Sequence, residues 1–586
     1  MPGKQKESLL SFSRKSIFPV ITDKKALYAL FLKQAPYLIL ILTALLYSRA
    51  FFSGFNNFDD DSFILNNPLV KDISWKGIQA IFTTFSTGKY QPLTTFSFAI
   101  EYNYFGFKPS VYHFTDVMLH LLCTLYVFKI TERLSGNRIT AIVVAVLFAV
   151  HPMHVEEVAW ASERKDLLYA IFYLIAMKVY LEYTDSGFRF KYYLYTFLLF
   201  LLSLLSKTEA ITLPLIMIVM DVYTGRKINA KALLEKLPFL LVSVFFVVIG
   251  LLSQSTGGAL GQLSTAPYGI INRIFLFTSV FAFYIVKLIA PFGLSAMHYY
   301  PDMHNGALPW LYYTSLPFLV FIVWFVARRS LLRKEMIFGI SFFVATISVM
   351  PQIVSVGPSL TPERYTYIPY IGFFFIIGQW IASVALTRYK LMVAGLFSLF
   401  IIVLCVQTWL RIGVWKNTDT LSTDAIEKNT DVANCSLFYC LRANYRFKAG
   451  DIPGSIDDFS EAVKEDPNYF EAYCNRGAAY FQTGDMKAAM YDFDKALHIN
   501  PKDARSYSNR AGCKASTGDF TGALADYDSF LKLQPGDKTA YADRGMVRLN
   551  LKDTTGACED WNKAAALGND MAVDLLQHFC APKLQL

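Results

Sequence analysis

From residue 35 to residue 408 the chain alternates apolar runs with short polar interruptions. Twelve runs approach the ~20 residues that an apolar helix needs to cross a bilayer. They lie near 35–52, 112–130, 138–152, 166–183, 191–206, 209–224, 236–253, 271–291, 311–327, 335–353, 366–384 and 390–408. Beyond residue 417 the pattern becomes a polar, amphipathic one with a long period. Tyr439, Tyr473, Tyr507 and Tyr541 recur every 34 residues, as do Arg442, Arg476, Arg510 and Arg544. Pro467, Pro501 and Pro535 keep the same spacing, and so do Gly450, Gly484 and Gly518. Asp458, Asp492, Asp526 and Asp560 are each followed by an aromatic residue. A 34-residue period with these positions predicts tetratricopeptide (TPR) repeats, four units and about eight helices. The predicted fold class is all-α: a polytopic helical membrane domain followed by an α-solenoid.

Composition agrees. Of the 586 residues, 54% are hydrophobic and 17% charged, a balance expected where much of the surface meets lipid. The net charge of +9 is divided unevenly: residues 1–416 carry +15 and residues 417–586 carry −6. The Lys and Arg of the first part sit mostly in short loops between apolar runs, which signals topology rather than nucleic-acid binding. The basic N-terminal stretch precedes the first apolar run without a small-residue cleavage site. It reads as a cytoplasmic tail (1–34) leading into an uncleaved signal anchor. The membrane domain is expected over 35–416 and the repeats over 417–586. Of eight cysteines, six fall in the repeat region, and no C-x-x-C pair suggests zinc. Cys440 and Cys474, at equivalent repeat positions, read as structural.

Basic loops mark the cytoplasmic side: 133–138, 189–191, 226–236, 328–334 and 388–390. All five fall on one side if one segment between 236 and 310 does not cross. The weakest, 271–291, carries Arg273 and Lys287, so eleven crossings are expected, with that segment dipping in or lying at the interface. Four polar stretches then share the outer face, 53–111, 151–165, 206–209 and 354–365, and the repeats emerge there too. Ionisable groups at apolar helix ends are costly unless paired or used, so their convergence predicts a site.

The first outer loop (53–111) opens with Asp59-Asp60-Asp61. These acids can cap a following helix, or serve as a general base whose pKa is raised by like-charged neighbours. Adjacent carboxylates also suit Mg²⁺ or Mn²⁺. Further on, 96–105 reads as an amphipathic helix on the membrane surface, bordered by Glu101. His151 and His154 could share a helical face with Glu157 or Glu156, although two histidines are weak evidence for a metal. Arg164 and Lys165, paired cations at a helix end, suit a lipid phosphate or a snorkelling anchor. Lys207, on the face where positive charge is disfavoured, calls for a phosphate or for Glu209 as its partner. Arg364 can clamp phosphate, flanked by Glu363 and by Tyr365, which can stack on a sugar.

Taken in order, Asp59-Asp60-Asp61 with Asn66-Asn67-Pro68, Gln91-Pro92-Leu93-Thr94, His151-Pro152-x-His154-Val155-Glu156, Ser162-Glu163-Arg164-Lys165-Asp166 and Glu363-Arg364-Tyr365-Thr366-Tyr367, followed by TPR units, resemble the transmembrane-and-TPR-repeat-containing O-mannosyltransferase-like family and its bacterial relatives. The resemblance covers nearly the whole chain. It implies a GT-C glycosyltransferase with its active site on the lumenal or periplasmic side, using a polyprenyl- or dolichyl-phosphate sugar. It also implies an acidic base in the first outer loop, carried onto Asp59 and Asp60, and phosphate-holding cations in the other outer loops.

The expected function is transfer of a sugar from a polyprenyl-phosphate donor to a hydroxyl of an acceptor protein or glycan presented by the repeats. The expected setting is the periplasmic face of a bacterial inner membrane. The runner-up is a non-catalytic membrane scaffold whose repeats recruit partners. A flippase is disfavoured, because no inverted internal repeat is evident.

Overall fold

The computed structural model describes residues 24–85, 88–256, 268–303, 305–328, 333–348, 359–429 and 435–580. Over these residues the twelve apolar runs are largely helical. The membrane domain comprises α1 (Lys24–Tyr47), α2 (Trp75–Thr83), α3 (Pro92–Phe105), α4 (Pro109–Ser135), α5 (Arg138–Val150), α6 (Val155–Ala159), α7 (Arg164–Asp185), α8 (Phe190–Ser206) and α9 (Leu213–Thr224). It continues with α10 (Ala230–Leu234), α11 (Leu237–Thr256), α12 (Ile270–Ile289), α13 (Trp310–Tyr313), α14 (Ser315–Arg328), α15 (Arg333–Ile347), α16 (Tyr370–Val384) and α17 (Lys390–Val414). Helix α1 begins ten residues before the expected end of the polar tail at 34; residues 1–23 of that tail lie outside the described residues.

Six helical segments are individually long and apolar enough to cross a membrane, and a bent pair, Arg138–Val150 with Pro152–Ala159 at 59°, makes a seventh. Phe190–Ser206, Trp310–Phe325 and Tyr370–Val384 are shorter apolar helices. The bend falls at His151-Pro152, where proline lacks the N–H that would continue the helix. Helices α15 and α16 meet backbone to backbone: a Cβ on Gly339 would lie 2.4 Å from the Gly372 carbonyl oxygen, and one on Gly372 would lie 2.3 Å from that of Gly339. Small residues permit this approach where no hydrophobic drive separates helix from lipid.

The loops sort to two ends. At one, Arg133 pairs with Asp185, Arg138 donates to the Leu32 carbonyl at 2.7 Å, and Arg226 donates to the Tyr180 hydroxyl at 3.1 Å. At the other, Gly54 N–H donates to Lys416 O, Thr94 to Ser206 O, Ser162 N–H to Asp60, and Arg364 to Glu156. The outer stretches expected to share a face are therefore together, except that 354–358 lies outside the described residues. Helix α12 is long enough to cross, yet both of its ends are tied to this second end. The Tyr268 hydroxyl donates to Pro301 O, two residues from the Tyr299–Ser359 bridge, and His151 Nε2 lies 3.2 Å from Leu288 O. Helix α3, expected to lie on the membrane surface, buries Phe98, Ala99 and Glu101 and exposes Ile100, Tyr104 and Phe105.

The repeat region forms four helix pairs: α19 (Ser436–Lys448) with α20 (Ile452–Glu465), α21 (Phe470–Thr483) with α22 (Met486–Ile499), α23 (Ala504–Ser516) with α24 (Phe520–Leu533), and α25 (Lys538–Asn550) with α26 (Thr554–Ala566). It is flanked by α18 (Thr418–Lys428) and α27 (Asp570–Phe579), so two helices accompany the expected eight. The periodic arginines and aspartates are partners: Arg442–Asp458, Arg476–Asp492, Arg510–Asp526 and Arg544–Asp560 pair at 2.6–2.8 Å across the two helices of each unit. Asp451, Asp485, Asp519 and Asp553 cap the second helices, each satisfying an otherwise unpaired N–H. Gly450, Gly484 and Gly518 have φ of +85° to +88°, while Lys552 takes the left-handed position of the fourth unit at +67°. Cys440 and Cys474 are free and buried. A disulfide not foreseen from the sequence joins Cys558 to Cys580, Cα atoms 5.9 Å apart, and ties α27 to α26.

Helix α18 belongs to both regions. Leu421 and Ala425 enter the membrane domain's core, as does Phe438 of α19. Asn57 N–H donates to Thr418 Oγ1 at 2.9 Å, and Asn429 Nδ2 to Met297 O at 3.3 Å. The solenoid is thus seated on the loops that carry the candidate site.

Candidate functional site

The acidic triplet is resolved into three environments. Asp60 is fully buried and accepts from the backbone N–H of Asn56 at 2.8 Å and of Ser162 at 2.9 Å, one on each oxygen. Burial pushes its carboxyl up to about 7 against the pull of these donors. Asp61 opens a helical turn, Asp61–Leu65, and accepts from Asn66 N–H through its backbone carbonyl. Asp59 is half-buried, and among the described residues no hydrogen bond or ion pair engages its carboxylate. Its charge acts on Lys89 and Asp60. The preceding residue fixes it: Phe58 lies between Trp160 at 5.1 Å and Phe438 at 5.6 Å, and Trp160 stacks on Trp415 at 5.0 Å.

Lys89, on which Asp59's charge acts, belongs to a group of cations from four separate loops. Arg364 pairs with Glu156 and lies 3.8 Å from Glu163, with its guanidinium over Trp160 and Tyr365. Lys165 pairs with Glu163 at 2.6 Å. Lys207 pairs with Asp166 at 2.7 Å and Glu209 at 3.1 Å, its ammonium 5.9 Å from the Tyr365 ring centre. Lys89, not singled out from the sequence, sits 4.8 Å over the Phe63 ring, whose other neighbour is Lys165 at 5.5 Å. Its side chain reaches solvent and, among the described residues, has no acid in ion-pair distance. The surrounding protein strips water from its ammonium and holds it to about 8, with Lys165 adding repulsion and Asp59 opposing it. The signal that could have found Lys89 is the one that found Lys207, a lone lysine on the face where positive charge is disfavoured.

Other expected residues stand elsewhere. Arg164 is fully enclosed: Nε pairs with Asp116 at 2.6 Å, Nη1 with Glu101 at 2.6 Å, and Nη2 donates to Tyr112 O at 2.9 Å. It fastens α7 to α3 and α4 and, fully buried, is out of reach of a phosphate. Helical rotation of ~100° per residue explains why it and Lys165 face different ways. Glu101 also accepts from Thr115 at 2.5 Å. His151 and His154 are buried at the bend; His151 Nδ1 accepts from Met153 N–H, and His154 Nδ1 lies 2.9 Å from Phe148 O. Glu363 points away from Arg364's partners, toward Arg411 at 3.5 Å and His298 at 3.4 Å. Among the described residues no three His, Cys, Asp or Glu side chains converge as a metal site, and Asp60's oxygens are already occupied.

Comparisons with known proteins divide along the chain. Tetratricopeptide-repeat families match residues 470–503 and 515–572, and a TPR-repeat family matches 443–484. A protein O-mannosyl-transferase of Caenorhabditis elegans is 25% identical over 462 residues, 74% of this chain and 63% of that one. Namesakes from Drosophila melanogaster and Homo sapiens are 36% and 31% identical over about a quarter of this chain (25% and 26%) and 17% of their own. The chain therefore spans less than two thirds of the length of these relatives. Among solved structures, a MamA crystal structure is 20% identical, covering 27% of this chain and 91% of its own with a TM-score of 0.25.

Proposed function

We propose that this protein is a membrane glycosyltransferase of GT-C type that moves a sugar from a polyprenyl-phosphate carrier to a hydroxyl, with a protein Ser or Thr as acceptor. The observation that carries the reading is the Asp59 carboxylate, unpaired among the described residues and acting on Lys89, which sits in a group of cations with Lys165, Lys207 and Arg364. The O-mannosyl-transferase relatives support it.

In this mechanism the acceptor hydroxyl gives its proton to Asp59 as its oxygen bonds to the anomeric carbon. The bond from that carbon to the phosphate oxygen breaks on the opposite face, inverting the centre. The electron pair leaves with the phosphate, whose growing charge Lys89 and Arg364 stabilise. Lys165 and Lys207, paired with acids as Arg364 is with Glu156, set the field around them. Asp60 holds the turn that aims Asp59, and Arg164 holds the helix that carries Lys165. The solenoid, seated beside Phe58, presents the acceptor. Eleven crossings, with α12 lying at the outer interface, put site and repeats on one side. The Cys558–Cys580 disulfide supports an oxidising, periplasmic compartment for them.

The test is a transfer assay on purified full-length protein with a panel of short-chain polyprenyl-phosphate sugars, with and without EDTA. Release of polyprenyl phosphate by wild type and not by Asp59→Asn supports the enzyme. Equal release by both contradicts the assignment, and the EDTA arm decides whether Mg²⁺ or Mn²⁺ takes part.

A further inference from the structure

At the end of the bundle opposite the candidate site, α9 and α15 pack side by side and leave a groove of about 430 Å³. Its walls are Val219, Val222, Ile337 and Phe338, and Val222 and Ile337 are 55% and 53% exposed, so it opens sideways between the helices. Tyr223 forms one side, with its ring 4.5 Å from Phe338. Arg333 and Lys334 stand on the rim, and the Lys334 ammonium lies 4.7 Å over the Tyr223 ring.

Charge sets these two cations apart from their neighbours at the same end. Arg133 is paired with Asp185, Arg138 with Glu132, Arg226 with Asp221 and Glu235, and Lys236 with Asp221. Arg333 and Lys334 are exposed, and among the described residues no acid lies within ion-pair distance of either. Two unpaired cations above a sideways-opening apolar groove complement a molecule with an anionic head and a hydrocarbon chain.

We infer that this groove is a binding site for an anionic membrane phospholipid, with one acyl chain between α9 and α15 and the phosphate between Arg333 and Lys334. Simple snorkelling of the two side chains to the interface needs the charges but no groove, so a variant that fills the groove separates the two.

The experiment is native mass spectrometry of the full chain, titrated with phosphatidylglycerol or phosphatidylcholine. Wild type should retain one phosphatidylglycerol in clear preference to phosphatidylcholine. Arg333→Gln with Lys334→Gln should weaken that binding by roughly thirtyfold, and Val219→Trp, which keeps both charges, should abolish the preference. Equal retention of the two lipids by wild type overturns the inference. So does a Val219→Trp protein that keeps the preference, which would mark surface attraction without a site. Displacement of the lipid by inorganic phosphate alone would show that the cations, not the groove, hold it, and would also overturn it. Ile337→Trp, on the facing wall, repeats the test should Val219→Trp fail to fold.

Discussion

The solenoid and the loop end of the membrane domain use the same charged residues in opposite ways. In the solenoid each arginine meets its aspartate across a helix pair, four times over at 2.6–2.8 Å. Every unit is closed, and the pairing serves packing. At the membrane edge the pairing is incomplete. Arg164 is locked between Glu101 and Asp116, but Asp59 and Lys89, which feel each other's charge, form no bond. Leaving two opposite charges apart at the rim of a bilayer is costly, and a substrate that completes both sides accounts for the arrangement. Closure thus distinguishes charges that build from charges that react.

The sharpest way to break this comparison is Asp59→Asn. It should lower turnover by about 10²–10⁴-fold, the range of a lost general base, with thermal melting unchanged. Next comes Arg164→Met, which leaves Glu101 and Asp116 buried without their partner. It should cost about 3–5 kcal/mol of stability, read as a lowered melting temperature, while the KM for donor in the surviving folded fraction stays the same. Lys89→Met should raise the donor KM roughly tenfold, as loss of one exposed charge-assisted contact worth about 1.5 kcal/mol implies, without lowering melting. In wild type, donor binding should weaken as pH rises through about 8, because Lys89 loses its charge there; Lys89→Arg should move that limb upward, since the guanidinium stays charged. The smallest effect belongs to the solenoid. Lys552→Gly relieves a left-handed backbone and should stabilise the fourth repeat by about 1 kcal/mol, read as a raised melting temperature with turnover untouched.

The helices and the repeats were legible because their signals are periodic. Apolar run length and a 34-residue spacing depend on neighbours close in sequence or on regular repetition. The grouping of the loops was legible through their basic and acidic character. What was not legible depends on single contacts between distant residues. Asp60 is held by Ser162, 102 residues away, so nothing within Asp59-Asp60-Asp61 says which carboxylate is occupied and which is free. Arg164 and Lys165 read alike as adjacent cations, yet one helical step turns the first toward Glu101 and Asp116 and the second toward Glu163 and the Phe63 ring. Lys89 offers only the weak signal of a lone lysine on the outer face, and its place beside Phe63 and Lys165 arises only in the fold. Cys558 and Cys580 are 22 residues apart, and spacing alone does not state which cysteines pair.

The central claim, that Asp59 reacts and Asp60 builds, is tested most directly by measuring polyprenyl-phosphate release and thermal melting together for wild type, Asp59→Asn and Asp60→Asn. The account predicts that Asp59→Asn melts like wild type and releases nothing above background. Asp60→Asn should melt lower, because one of the two N–H donors it holds loses its acceptor. An Asp59→Asn protein with wild-type release, or an Asp60→Asn protein that melts normally and is inactive, would contradict it.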